Sequence, residues 1–173
     1  QDLKNDGYVA NTTRVWDYRP ELAEPWRQVL KTIRTNMRLR AYELVTLAAS
    51  RAMGCVYCML AHGAVLHKSG FSPEEIIAIL EDHHTAGLSA VEVHLMDYAD
   101  KISRDSDAIN QADIEVLRRD GLSDQQITDV ALAAVARNFM SRLFNALGEG
   151  PDPELQAKEP ELWAYLKDWR ERQ

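Results

Sequence analysis

Three times the chain repeats one piece of punctuation: a serine, a glutamate or glutamine three residues on, then an apolar run. Ser72-Pro73-Glu74-Glu75 precedes "IIAIL", Ser89 with Glu92 leads into "VHLMDYADKI", and Ser123 with Gln126 leads into "ITDVALAAVARNFMSRLFNALG". A serine hydroxyl that accepts from the N3 amide, while the N3 side chain reaches back, closes a capping box; proline suits N1, where no donor is needed. These signals predict helices, and Gly87, Gly121 and Gly148 stand where helices should stop. In the longest segment Ile127, Val130, Ala131, Ala134 and Val135 recur at helical spacing. Upstream, "ELAEPWRQVLKTIRTNMRL" and "RAYELVTLAASRAM" read as two more helices. "PELQAKEPELWAYLKDWRERQ" reads as a final one, with Leu162, Trp163, Leu166 and Trp169 on one stripe, equally suited to its own domain or to another subunit. No run of Val, Ile and aromatics alternates with polar residues as a strand requires. The expectation is a single all-α domain over residues 1–173: an N-terminal arm (1–19), a core (20–150) and a C-terminal helix (151–173).

A chain of 173 residues, 46% hydrophobic and 27% charged, can bury a full core. Its net charge of −7 would repel a phosphate backbone, so no nucleic-acid partner is expected. "RTNMRLR", the one dense basic run, reads as a solvated helix end rather than a binding patch. No apolar run approaches the ~20 residues that span a bilayer, so no membrane partner is expected either. The polar "QDLKNDGYVANTTR" lacks the pattern of a signal peptide. The two cysteines stand three residues apart and cannot staple distant parts of a secreted fold; their spacing fits a reducing compartment, and a cytoplasmic location is expected.

Those cysteines, Cys55 and Cys58, lie in "ELVTLAASRAMGCVYCMLAHGAVL" with Glu43 upstream and His62 downstream. Gly54 separates two helical patterns, so Cys55 should open the next helix. At about 100° per residue, Cys55, Cys58 and His62 fall within roughly 60° on one face. A thiol in a first helical turn meets the positive end of the dipole and free N–H groups, both of which favour thiolate. His62, one turn beyond Cys58, can take its proton or pair with the thiolate. Spacing alone does not bring Glu43 to that face, because a break intervenes; an antiparallel packing of the two helices would. Proximity to the helix start favours Cys55 as the reactive sulfur, so the choice between the two stays open on these grounds.

Glu43, then Cys55-Val56-Tyr57-Cys58, then His62 resembles the active-site motif of the alkylhydroperoxidase AhpD-like family, within the carboxymuconolactone decarboxylase superfamily. The spacing is reproduced without a gap, and "ALAAVARNFMSRLFNALG" is also similar to the family's core, so the likeness covers residues 20 to 150. The resemblance implies an AhpD-like all-helical fold, homo-oligomers, and peroxidase activity through a redox-active disulfide, with no cofactor and no metal. It implies that Cys58 attacks the peroxide, Cys55 resolves the sulfenic acid as a disulfide, and Glu43 with His62 relays protons. A peroxide and a dithiol or protein reductant would be the partners. Some members carry histidine between the cysteines, where this chain has Tyr57. The chemistry is coherent in its own right: thiolate attack on an O–O bond needs a proton for the leaving oxygen, and a second thiol protects the sulfenic acid from over-oxidation.

Other readings of the same residues compete. Glu43, Cys55, Cys58 and His62 could complete a tetrahedral zinc set, although structural sites usually draw ligands from two separate segments. A zinc deaminase would need H-x-E before the cysteines, and a thioredoxin-like motif would need a strand and a βαβ frame. Met59 follows the second cysteine, so haem attachment fails. A ring-opening decarboxylase does not require the cysteine pair, and two structural cysteines would leave Glu43 and His62 unexplained. A disulfide reductase would use the same four residues. A redox-sensing interaction protein would use the Trp163/Trp169 helix and "VWDYRP" to reach a neighbour. Tyr57, Met59 and Leu60 could line an apolar entrance, with plain core packing the commoner fate. His67 falls opposite Cys58, His83 and His84 should cap a helix or face solvent, and His94 reads as a satisfied histidine. Arg137 and Asn138 could border the pocket, with ordinary helix packing the commoner fate.

Overall fold

In a computed structural model, which describes residues 7–172, ten α-helices follow one another: α1 (Asn11–Arg14), α2 (Pro20–Thr35), α3 (Leu39–Ala52), α4 (Val56–Lys68), α5 (Pro73–Asp82), α6 (Ala90–Arg104), α7 (Gln111–Arg119), α8 (Asp124–Leu147), α9 (Pro153–Lys158) and α10 (Pro160–Leu166). Single 3-10 turns lie at Ser106–Ala108 and Trp169–Arg172, and the described residues contain no strand. The all-α expectation holds.

α3 is the centre. Nine consecutive residues, Tyr42 to Ser50, are buried on every side of it, against α4, α6 and α8. A helix segment so largely apolar has no solvent face to offer, and its neighbours enclose it. Its two hydroxyls are accommodated by bonding back one turn, Thr46 Oγ1 to the Tyr42 carbonyl at 2.9 Å and Ser50 Oγ to the Thr46 carbonyl at 2.6 Å. α10 lies across α4 and α5, and it can do so because α4 carries Gly63 there: a Cβ at that position would stand 2.4 Å from Leu162 Cδ2.

All three capping boxes form, at Ser72/Glu75, Ser89/Glu92 and Ser123/Gln126, and Gly148 ends α8 at φ 71°. A fourth, unanticipated box, Asn110 with Asp113, opens α7. Two expected helices are shorter than their patterns. α2 stops at Thr35 and Arg38 turns extended (ψ 138°) to start α3. The C-terminal segment breaks at Glu159 (φ −127°, ψ 61°), because a residue before proline is driven out of the helical region. Its stripe packs inward: Leu162, Leu166 and Trp169 are buried in the main core and Trp163 is half-buried against it. Val15 and Trp16 of "VWDYRP" likewise pack on their own chain, beside Cys55, Tyr57 and Cys58. Tyr18 of the same stretch is left exposed. No helix among the described residues is long and apolar enough to cross a membrane.

Candidate active site

Gly54, at φ 59°, turns the chain out of α3 so that Cys55 falls at the N-cap of α4. Its Sγ accepts the Cys58 amide at 3.4 Å, filling the place a serine oxygen usually takes. Both thiols are reduced and buried, each 1% exposed. Glu43 and His62, which the sequence could not bring together, meet where α3 packs on α4: Oε2 lies 2.6 Å from His62 Nδ1, with Glu43 only 2% exposed. Thr46 Oγ1 stands 3.1 Å from the same nitrogen. A carboxylate can only accept, which assigns the proton to Nδ1 and leaves Nε2 as the basic nitrogen. Burial lowers the His62 pKa, the nearby Arg137 charge lowers it further, and the bond to Glu43 opposes both. The net direction is down, so the imidazole is held neutral and ready to accept a proton.

Of the two readings of Arg137, the structure favours the pocket border. Far from ordinary helix packing, it is 9% exposed and its guanidinium nitrogen approaches Cys58 Sγ at 3.6 Å. A buried guanidinium calls for a counter-charge, and among the described residues no salt bridge gives it a carboxylate. The Cys58 thiolate is that charge. Burial opposes ionisation of Cys58, but the hydrogen bond from Cys55, the Arg137 charge and the adjacent Ser141 outweigh it, and the pKa falls below the ordinary 9.0. Cys55 moves the other way, raised by its bond to Cys58 and by burial. One proton is thus shared unequally: Cys58 carries the negative charge and Cys55 keeps the hydrogen. The amide at Cys55 Sγ pulls against this, yet a fixed full charge at Arg137 outweighs one long N–H···S bond.

Cys58, His62, Glu43 and Arg137 open on a cleft of about 980 Å³ between α2, α3 and α4. Tyr57 also borders it, but its hydroxyl donates to Asp152 Oδ2 at 2.8 Å and its ring leans on Phe144 at 4.8 Å. Asp152 Oδ1 in turn accepts the Asn11 amide at 2.8 Å, so one carboxylate ties both ends of the domain to the residue between the cysteines. Met59 and Leu60 are fully buried in the core and line no entrance.

The remaining histidines lie elsewhere. His67 pairs with Glu159 at 2.7 Å and His94 with Asp120 at 2.7 Å. His83 is buried, not solvent-facing, and binds Asp97 at 2.8 Å; exposed His84 lies 3.0 Å from the same oxygen. Among the described residues, only His83, His84 and Asp97 bring three potential ligand atoms within 4.8 Å of one another. Glu43, Cys55, Cys58 and His62 do not converge as a tetrahedral set would.

Residues 20–101 match the model of the carboxymuconolactone decarboxylase family. No curated protein matches the sequence. Among solved structures, an uncharacterized peroxidase-related protein from Silicibacter sp. TM1040 superimposes with TM-score 0.83 at 25% identity, covering 91% of this chain and 84% of that one. An AhpD-core, uncharacterized peroxidase-related protein from Ralstonia eutropha JMP134 gives 0.81 at 24%, covering 88% and 82%. The debrominase Bmp8 gives 0.78 at 17%, covering 92% and 87%. The family match thus spans a little under half of the chain, and the likeness in structure shows the AhpD-like fold.

Proposed function

We propose that the protein is a thiol peroxidase that reduces hydroperoxides through a Cys55–Cys58 dithiol/disulfide cycle. The observation that carries this reading is the buried guanidinium of Arg137 at 3.6 Å from Cys58 Sγ, with a carboxylate-oriented histidine one helical turn away. The Cys58 thiolate attacks the terminal oxygen of ROOH; an S–O bond forms, the O–O bond breaks, and ROH leaves. His62 Nε2 takes the hydroperoxide proton and returns it to the departing alkoxide, while Glu43 steadies the imidazolium in between. Arg137 supports the negative charge as it passes from sulfur to oxygen. The sulfenate is then attacked by Cys55, whose thiol proton leaves with the oxygen; with one further proton from solvent this departs as water, and the disulfide forms. An external dithiol restores both thiols by exchange and returns that proton, for a balance of ROOH plus dithiol giving ROH, water and disulfide. The reducing environment the cycle requires is that of the cytoplasm. A second copy of the chain would cover the face of α8 on which Leu132, Val135 and Phe139 stand exposed.

The test is turnover of cumene hydroperoxide with a small dithiol, together with a free-thiol count after one equivalent of peroxide. Both thiols should disappear and return on reduction. Cys58→Ser should abolish turnover, Cys55→Ser should stop at a trappable sulfenic acid, and His62→Ala should slow the reaction by about 100-fold or more. Survival of both thiols, or turnover by the Cys58 variant, would sink the reading.

A further inference from the structure

The cleft that reaches Cys58 has two kinds of wall. Its floor is apolar and half-buried, formed by Leu30, Met37, Ala61 and Val65. Its rim is a row of cations on α2: Arg27, Lys31 and Arg34, at positions i, i+4 and i+7 and therefore on one face over about 10 Å of helix. In a chain of net charge −7 such a concentration is a local inversion of sign. The acidic residues beside it do not cancel it. Glu24 pairs with Arg27 at 2.9 Å, and Glu43 is taken up by His62 at 2.6 Å. Among the described residues Lys31 and Arg34 form no salt bridge. A second, independent sign of a ligand lies at the deep end, where Arg137 Nε is buried without a hydrogen-bond partner on the wall of the same cleft.

We propose that this cleft selects organic hydroperoxides that carry a carboxylate, with Lys31 and Arg34 holding the anion at the rim. The proposal rests on the peroxidase reading above and adds the substrate class to it. The hydroperoxide group sits at Cys58, where Arg137 Nε donates to its oxygen. The apolar chain runs along the Leu30–Met37 and Ala61–Val65 floor. A cleft of about 980 Å³ is of the size that holds an extended ligand of this kind. A neutral peroxide would leave the rim cations solvated and gain nothing from them. A purely polar one would waste the floor.

The experiment compares linoleic acid hydroperoxide with its methyl ester, below their micelle concentrations and at low salt, using a small neutral dithiol as reductant. The wild-type protein should favour the acid by about tenfold in kcat/KM, carried by KM, the scale of one charge-assisted hydrogen bond. Added salt should erode that ratio, and Lys31→Glu with Arg34→Glu should bring it to one or below; both sites are exposed, so the variant is expected to fold, as thermal melting verifies. Equal turnover of acid and ester by the wild type, or an acid preference that survives the double variant, would overturn the proposal while leaving the peroxidase reading intact. Failure of every peroxide, cumene hydroperoxide included, would remove that reading and this one together. A double variant that slows acid and ester alike, and only with an acidic protein reductant, would assign the cations to the reductant and overturn the substrate claim.

Discussion

At the scale of single residues, the site works by giving two chemically identical thiols opposite characters. Arg137 is the main source of the difference that is not itself a sulfur, and its removal is therefore diagnostic. In Arg137→Met the Cys58 pKa should rise toward the ordinary 9.0, because burial then acts with less opposition. Each unit of rise leaves tenfold less thiolate at neutral pH. Alkylation by iodoacetamide across pH reads this directly: the wild-type rate should already be high at neutral pH, and the variant's should climb only in the alkaline range. An unchanged profile would remove Arg137 from the mechanism. Cys55, Cys58 and His62 were legible in the sequence because one helix carries all three and its period sets their directions. Glu43 was legible only through resemblance, since its meeting with His62 depends on how two helices pack. Arg137 was named only as one that could border the pocket, behind ordinary packing, although a clue was there. Val130, Ala134, Arg137, Ser141 and Phe144 share one buried stripe of α8, and a charge within an apolar stripe needs a reason.

Among the elements, helix starts were readable because capping is local chemistry, settled within four residues. α7 escaped because its box uses Asn110 and Asp113 in place of the Ser and Glu/Gln pair. α1 has four residues and no side-chain cap, so neither period nor punctuation announces it. The break at Glu159 follows from Pro160, a signal that the continuous apolar stripe obscured. What no local rule could supply is the closeness of α4 to α10. Leu162 is 1% exposed and has little room to withdraw from a new methyl group. Gly63→Ala should therefore lower stability by about 1–3 kcal/mol in urea unfolding, despite alanine's better helix propensity. A shortened partner, Leu162→Val, should recover part of that loss; a neutral or stabilising Gly63→Ala would contradict the close approach.

For the molecule as a whole, the pattern of exposure is uneven. Leu132, Val135 and Phe139 lie at i, i+3 and i+7 on α8, each about half exposed, and Phe139 stacks on Trp26 of α2 at 4.6 Å, next to exposed Leu22 and Val29. A continuous apolar face of this kind favours association. Sedimentation at micromolar concentration should return a multiple of 19.6 kDa, and Val135→Glu with Phe139→Glu should return the single-chain mass; a wild-type monomer would leave the face unexplained. The same long-range architecture has a consequence in time. Arg137 follows Cys58 by 79 residues, and Asp152 follows Tyr57 by 95. At about 5–20 residues per second, the ribosome delivers the guanidinium about 4–16 seconds after the sulfur it will charge. During that interval the thiols emerge on a chain that has neither its activating cation nor its enclosing helix. The pairing that lowers the Cys58 pKa is thus absent from the nascent protein and forms only once α8 has been made.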